Sequence, residues 1–110
     1  MTPTPAAASR YRIDKFVVPG PAMAEFSSAV LATHEVLRRQ PGFVRDLVLD
    51  QVSGPGEFNV VTFVEWTDAD ALAEAVEAVR GFHRSVGFDG RSLTERLGVR
   101  GDIGIYAARA

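Results

Sequence analysis

The chain contains no cysteine. That removes disulfides, thiolate nucleophiles and thiolate metal sites together, and it fits a reducing cytoplasm. No apolar run approaches the roughly 20 residues that span a bilayer, so no membrane partner is expected. Charge of one sign is not in excess: 12 Lys and Arg against 14 Asp and Glu leave a net charge of −2, which gives nucleic acid little to bind. Histidine is scarce, with 2 in the chain, and no carboxylates stand at the matched spacing a metal site needs. Neither a metal nor another cofactor is expected. Gly54-Pro55-Gly56 is a turn rather than a phosphate loop, because a strand follows it and not a helix. No serine sits in an elbow motif for acyl transfer.

What remains has the composition of a soluble globule, 46% hydrophobic and 24% charged in 110 residues. That length makes one domain, able to bury roughly two-thirds of its unfolded surface. Residues 1–9 read as a disordered leader, without the cationic start and apolar run of a secretion signal. The folded domain is then 10–110.

The strongest strand signal is Phe58 to Trp66, β-branched and aromatic with no Gly or Pro. Period two puts Phe58, Val60, Thr62, Val64 and Trp66 on one face and Asn59, Val61, Phe63 and Glu65 on the other. Neither set is plainly polar, so both faces need a cover. Upstream, Arg10 to Val18 is a strand stopped by Pro19-Gly20-Pro21. A helix follows over Pro21 to Gln40, with Met23, Phe26, Val30, Thr33, His34 and Leu37 on one side. Pro41-Gly42 ends it. Phe43 to Val52 is a second, more polar strand, and Ser53-Gly54-Pro55-Gly56 turns it into the third. After Trp66, Thr67 can cap a second helix with Asp68 and Asp70 in its first turn. Its stripe is Leu72, Val76, Val79, His83 and Val86, and Gly87-Phe88-Asp89-Gly90 breaks it. Ser92 to Glu95 allows one short helical turn, and Gly101 to Ala108 is a last strand. The order predicts an α+β, ferredoxin-like βαββαβ fold: an antiparallel four-stranded sheet with two helices on one face. The helix-free face would be covered by a second copy of the chain.

Three stretches carry a family likeness. They are Leu37-Arg38-Arg39-Gln40-Pro41-Gly42-Phe43-Val44, Asn59 to Trp66 running into Thr67 and an acidic helix start, and Gly87-Phe88-Asp89 with Asp102-Ile103-Gly104-Ile105-Tyr106. Through them the chain, over about Tyr11 to Ala108, resembles the antibiotic biosynthesis monooxygenase (ABM) domains of the dimeric α+β barrel superfamily. The resemblance implies a homodimer with sheets back to back and a small-molecule pocket between each sheet and its own helices. Some members oxidise aromatic polyketides with O2 using neither flavin nor metal; others degrade haem, process small signalling molecules or have no known reaction. The haem-degrading members combine an Asn on the first strand, a Trp on the third and a His on the second helix. Here Asp14 holds the first place, and Val76 stands nearer the last than His83 does, so haem degradation is not expected.

The expected function is cofactor-independent monooxygenation of a small aromatic or enolic metabolite. The alternatives are a non-catalytic ligand-binding or stress-linked dimer and a non-oxidative enzyme such as an isomerase. An oxygenase of this kind needs an apolar pocket, a base for the substrate hydroxyl and donors for the resulting anion. His83 and Trp66 are the catalytic candidates: the imidazole titrates near neutral pH, and the indole can wall the pocket and donate its N–H. His34, Thr62, Phe82 and Phe88 are expected in the same pocket. Thr62 stands where the polyketide-oxidising members, by the resemblance, place an Asn four residues before the Trp. Asn59, Val61, Phe63 and Glu65 take the opposite parity and are expected at the dimer interface.

Overall fold

The computed structural model describes residues 8–109. Its elements are β1 (Arg10–Val17), a 3-10 turn (Gly20–Ala22), α1 (Met23–Leu37), β2 (Phe43–Asp50), β3 (Val60–Trp66), α2 (Ala69–Ser85), α3 (Gly90–Leu97) and β4 (Arg100–Tyr106). The strands form one antiparallel sheet in the order β2-β3-β1-β4. This is the ferredoxin-like arrangement the element order predicts. The expected leader lies outside the described residues as far as residue 7; Ser9, its last residue, is buried.

The differences from the expected elements have local causes. Asp68, not Thr67, caps α2: its backbone is extended and its carboxylate accepts from the Ala71 amide at 2.8 Å. The segment after Gly90 is a full eight-residue helix rather than one turn. Asp89 accepts from the Arg91 and Ser92 amides at its start, and Gly98 closes it in the left-handed conformation, φ 71°. A second left-handed glycine, Gly42 (φ 84°), turns the chain from α1 into β2, and a Cβ there would stand 2.4 Å from that of Ala71.

A bulge re-aims β2. Phe43 pairs with Trp66 and Arg45 with Glu65, so Val44 is the extra residue. Without it, alternation would put Phe43 and Asp46 on opposite faces. With it, both share the helix-covered face, as Asp46 pairs with Val64 and Phe43 meets Trp66 edge-on at 5.8 Å between ring centres.

Along β3 the burial alternates: Val60, Thr62, Val64 and Trp66 are buried, while Val61, Phe63 and Glu65 are half-buried. The helices therefore cover one face of the sheet. Under them lie two apolar clusters, Val18, Ala22, Phe26 and Val60 at one end and Val64, Trp66, Leu72 and Ala75 at the other. Thr62 falls between the two on the same strand face. Asn59 lies just before β3, and its amide accepts from the Val18 N–H and donates to the Val18 carbonyl, each at 2.8 Å. Glu65 pairs with Arg45 of the same chain at 2.9 Å. Both polar side chains expected at the dimer interface thus have partners within the chain.

Candidate functional site

The helix-facing side of the sheet changes character at its middle. Register places Asp14 of β1 opposite Thr62 of β3 and Arg12 opposite Val64. Arg12 and Asp14 share a face at a spacing of two and pair at 2.8 Å. From β2, the bulge brings Asp46 onto this side. From above, the α1 stripe lowers Thr33 and His34 onto it. A polar belt therefore crosses the sheet between the two apolar clusters.

Two hollows open on that belt. The larger, about 510 Å³, is walled by Phe16, Phe26, Val30, Phe88 and Leu93 and takes in Thr33, His34, Thr62 and His83. The smaller, about 290 Å³, is walled by Trp66, Leu72, Val76 and Val79. Asp14, Thr33, His34 and Thr62 border both. The larger has the volume and mostly apolar lining of a pocket for a small organic ligand.

The two imidazoles differ in how they are held. His34 is buried, and its Nδ1 lies 2.8 Å from Asp46 Oδ2. Arg38, one turn further along the chain, grips the same carboxylate: its Nη2 is 2.9 Å and its Nε 3.1 Å from Oδ2. Burial alone would raise the Asp46 carboxyl, but the hydrogen bonds from Arg38 and His34 and their charge hold it below its ordinary value. Asp46 is therefore ionised at neutral pH and can only accept. It follows that His34 Nδ1 carries a proton, so whenever the ring is neutral its lone pair lies on Nε2. His83, half-buried near the end of α2, meets the Thr33 hydroxyl at 3.3 Å and packs on the Phe88 ring at 4.6 Å. Burial pushes its pKa below the ordinary histidine value.

The larger cavity thus brings together His34, His83, Thr62 and Phe88. Trp66, 2% exposed, borders only the smaller hollow. Phe82 lines neither; it stacks beside His83 at 5.8 Å. Adjacent helical positions diverge by about 100°, so His83 and Phe82 cannot both point inward. Asp14, Thr33 and Asp46 were not among the expected site residues. Thr33 was visible on the α1 stripe, whereas Asp46 sat in the strand read as the more polar one. Beside Trp66, where the likeness puts the histidine of haem-degrading members, stands Val76.

No family model matches the chain, and no curated protein matches it. Solved structures do. SnoaB, a cofactor-independent oxygenase from Streptomyces nogalater, is 31% identical over 94% of this chain and 96% of its own, with a TM-score of 0.71. The chain belongs to the antibiotic biosynthesis monooxygenase family. Other ABM-like structures share its fold at lower identity. A candidate antibiotic biosynthesis monooxygenase from Nitrosomonas europaea is 15% identical over 93% of this chain and 91% of its own, TM-score 0.69. A variant of MhuD, with two manganese protoporphyrin IX bound per active site, is 14% identical over 92% and 95%, TM-score 0.69. Within the ABM scaffold, this chain's larger cavity is bordered by Asp14, Thr62 and His34, with Asp46 bonded to His34.

Proposed function

We propose that the protein is a cofactor-independent monooxygenase that oxidises a small aromatic or enolic metabolite with O2. The observation that carries the reading is one apolar cavity with aromatic walls that holds two imidazoles and a buried hydroxyl. Membership of a family that includes a cofactor-independent oxygenase supports it. The substrate of such a reaction supplies its own electrons. An imidazole takes the proton from an enolic or phenolic O–H, and the carbanionic form reacts with O2 to a peroxide. Loss of water from that peroxide leaves a carbonyl, so CH2 and O2 become C=O and H2O. The four electrons lost at carbon are those gained by the two oxygen atoms. Thr62 would donate to the substrate oxygen as it gains charge, and Phe16, Phe26 and Phe88 would sandwich the rings.

The working unit of this reading is a cytoplasmic homodimer. On the helix-free face Val61 and Phe63 of β3 are half-buried, and Leu47 and Leu49 of β2 are 46% and 47% exposed. That apolar surface is what a second sheet would cover. Sedimentation at micromolar protein gives a dimer mass on this reading and a monomer mass if the face is bare.

Oxygen uptake with 1,8-dihydroxyanthrone tests the chemistry. The expected result is stoichiometric uptake with formation of the anthraquinone. Replacing the imidazole that acts as base by glutamine lowers the rate by roughly 10²-fold or more; His34→Gln and His83→Gln are measured side by side. Tight binding of varied phenols without uptake would instead make the protein a ligand-binding dimer, and product formation without oxygen would make it a non-oxidative enzyme.

A further inference from the structure

Two imidazoles border the cavity, and the chemistry needs one base. The sequence favours His83, for the aromatic residues around it. The geometry favours the other. His83 has its Nε2 on the Thr33 hydroxyl, a partner that can donate or accept, so either tautomer satisfies that contact. His34 has no such freedom. Its Nδ1 faces a carboxylate at 2.8 Å, and the side chains of His34 and Asp46 are only 6% and 10% exposed. Arg38 fixes the carboxylate in turn. The contact spans the C-terminal end of α1 and the re-aimed strand β2, so two rigid elements set the ring rather than a loop.

We infer that Asp46 is a positioning residue for the proposed oxygenase: it holds His34 in the Nδ1–H tautomer, presenting Nε2 to the cavity as the proton acceptor, and Arg38 holds Asp46. The inference rests on the oxygenase reading for the identity of the proton, a phenolic or enolic O–H. In the step assigned here that O–H bond breaks and an Nε2–H bond forms, with Asp46 remaining ionised as the imidazolium appears beside it. Nothing is oxidised in this step; electron transfer to O2 comes after it. The bulge at Val44 is part of the device, because it puts Asp46 on the helix side of β2. Arg38 serves twice, closing the α1 C-terminus with a backbone bond to the His34 carbonyl at 2.9 Å while its side chain clamps the acid.

The test is the tautomer itself. With two histidines in the chain, long-range 1H–15N correlation of the imidazoles in the full-length, ligand-free protein gives two ring systems. His34→Gln and His83→Gln assign them. The expected result for the neutral ring in the wild type is Nδ1–H with a bare Nε2 at His34. Asp46→Ala removes the acceptor, and the ring moves toward the Nε2–H form that free imidazole side chains prefer in water. With 1,8-dihydroxyanthrone, Asp46→Ala lowers kcat about 10²-fold with KM nearly unchanged. Asp46→Asn can still turn an oxygen to both His34 and Arg38 Nη2, so it keeps the tautomer and retains more of kcat than alanine does. A merely structural ion pair would show no such ranking between asparagine and alanine once both variants are folded.

Nε2–H at His34 in the wild type overturns the assignment without any variant having to fold. So does an Asp46→Ala protein that keeps both the Nδ1–H signal and its kcat. The expected tautomers with no oxygen uptake by any phenol support the Asp46 assignment and sink the oxygenase reading alone. Uptake that persists with His34 in the wrong tautomer does the reverse.

Discussion

The two ends of the space beneath the helices are built from the same elements but filled differently. At one end Trp66 meets Phe43 edge-on, Leu72 and Ala75 close over it, and the left-handed turn at Gly42 lets α2 come within contact of the backbone. At the other, Phe16, Phe26 and Phe88 stand around a cavity of about 510 Å³, roofed in part by α3, a helix with no buried residue. Close packing is what gives a core its stability. A hollow of this size forgoes that packing where a ligand can restore it. On the proposed function, the division of labour is between an end that is close-packed around Trp66 and an end where a buried cluster adjoins a ligand cavity, with the polar belt between them.

Substitutions at each end sharpen or break this division. Trp66→Ala should have the largest effect, about 3–5 kcal/mol of stability, read as a lower urea midpoint at unchanged slope. The folded variant should still bind 1,8-dihydroxyanthrone near normally, since the indole borders only the smaller hollow. A lost affinity at unchanged stability would make Trp66 a ligand contact instead. Gly42→Ala comes next. The left-handed backbone costs a side chain about 1–2 kcal/mol, and crowding against Ala71 about 1–3 more. Phe88→Ala reverses the pattern. It should leave stability within about 1 kcal/mol but weaken binding of the same probe roughly tenfold, the worth of one aromatic contact. Equal losses of stability at both ends would dissolve the distinction.

Much of this was legible in the chain. The strand Val60 to Trp66 and both helical stripes follow from periodicity, except Val86, which lies past the end of α2 and is 58% exposed, because apolar spacing is fixed by which side an element buries. The same stripes put His34 and His83 under the helices, and both line the larger cavity. What periodicity did not convey was partnership. Thr33 and His83 are 50 positions apart. Asp46 faces His34 only because one extra residue, Val44, breaks the alternation of its strand. No local signal marks that insertion, so Asp46 read only as part of a more polar strand. Asn59 is a related case: it stands one residue before β3 begins, and its amide bonds to the Val18 backbone, which parity within β3 does not convey. The α3 helix was underestimated because Asp89, its cap, and Gly90, its first residue, were both read as breakers.

The smallest expected effect separates the imidazoles themselves. Burial lowers the His83 pKa below its ordinary value. The folded protein then binds a proton there less readily than the unfolded chain, whose histidine titrates near 6.5. Above that pH neither state is protonated and His83 adds no pH dependence. As the pH falls below it, the unfolded chain takes up the proton first. Stability therefore declines until the pH has passed the lower, folded value. His83→Gln should remove this decline in the stability profile just below pH 6.5 and leave the profile above it parallel to wild type. Removing the phenyl wall should act on the same feature in the opposite sense to burial. Phe88→Ala admits water to the ring and should shrink the decline without abolishing it. If Phe88→Ala left the histidine's titration unmoved, the ring would be shielded by α2 alone, and the hollow end would be more closed than its lining implies.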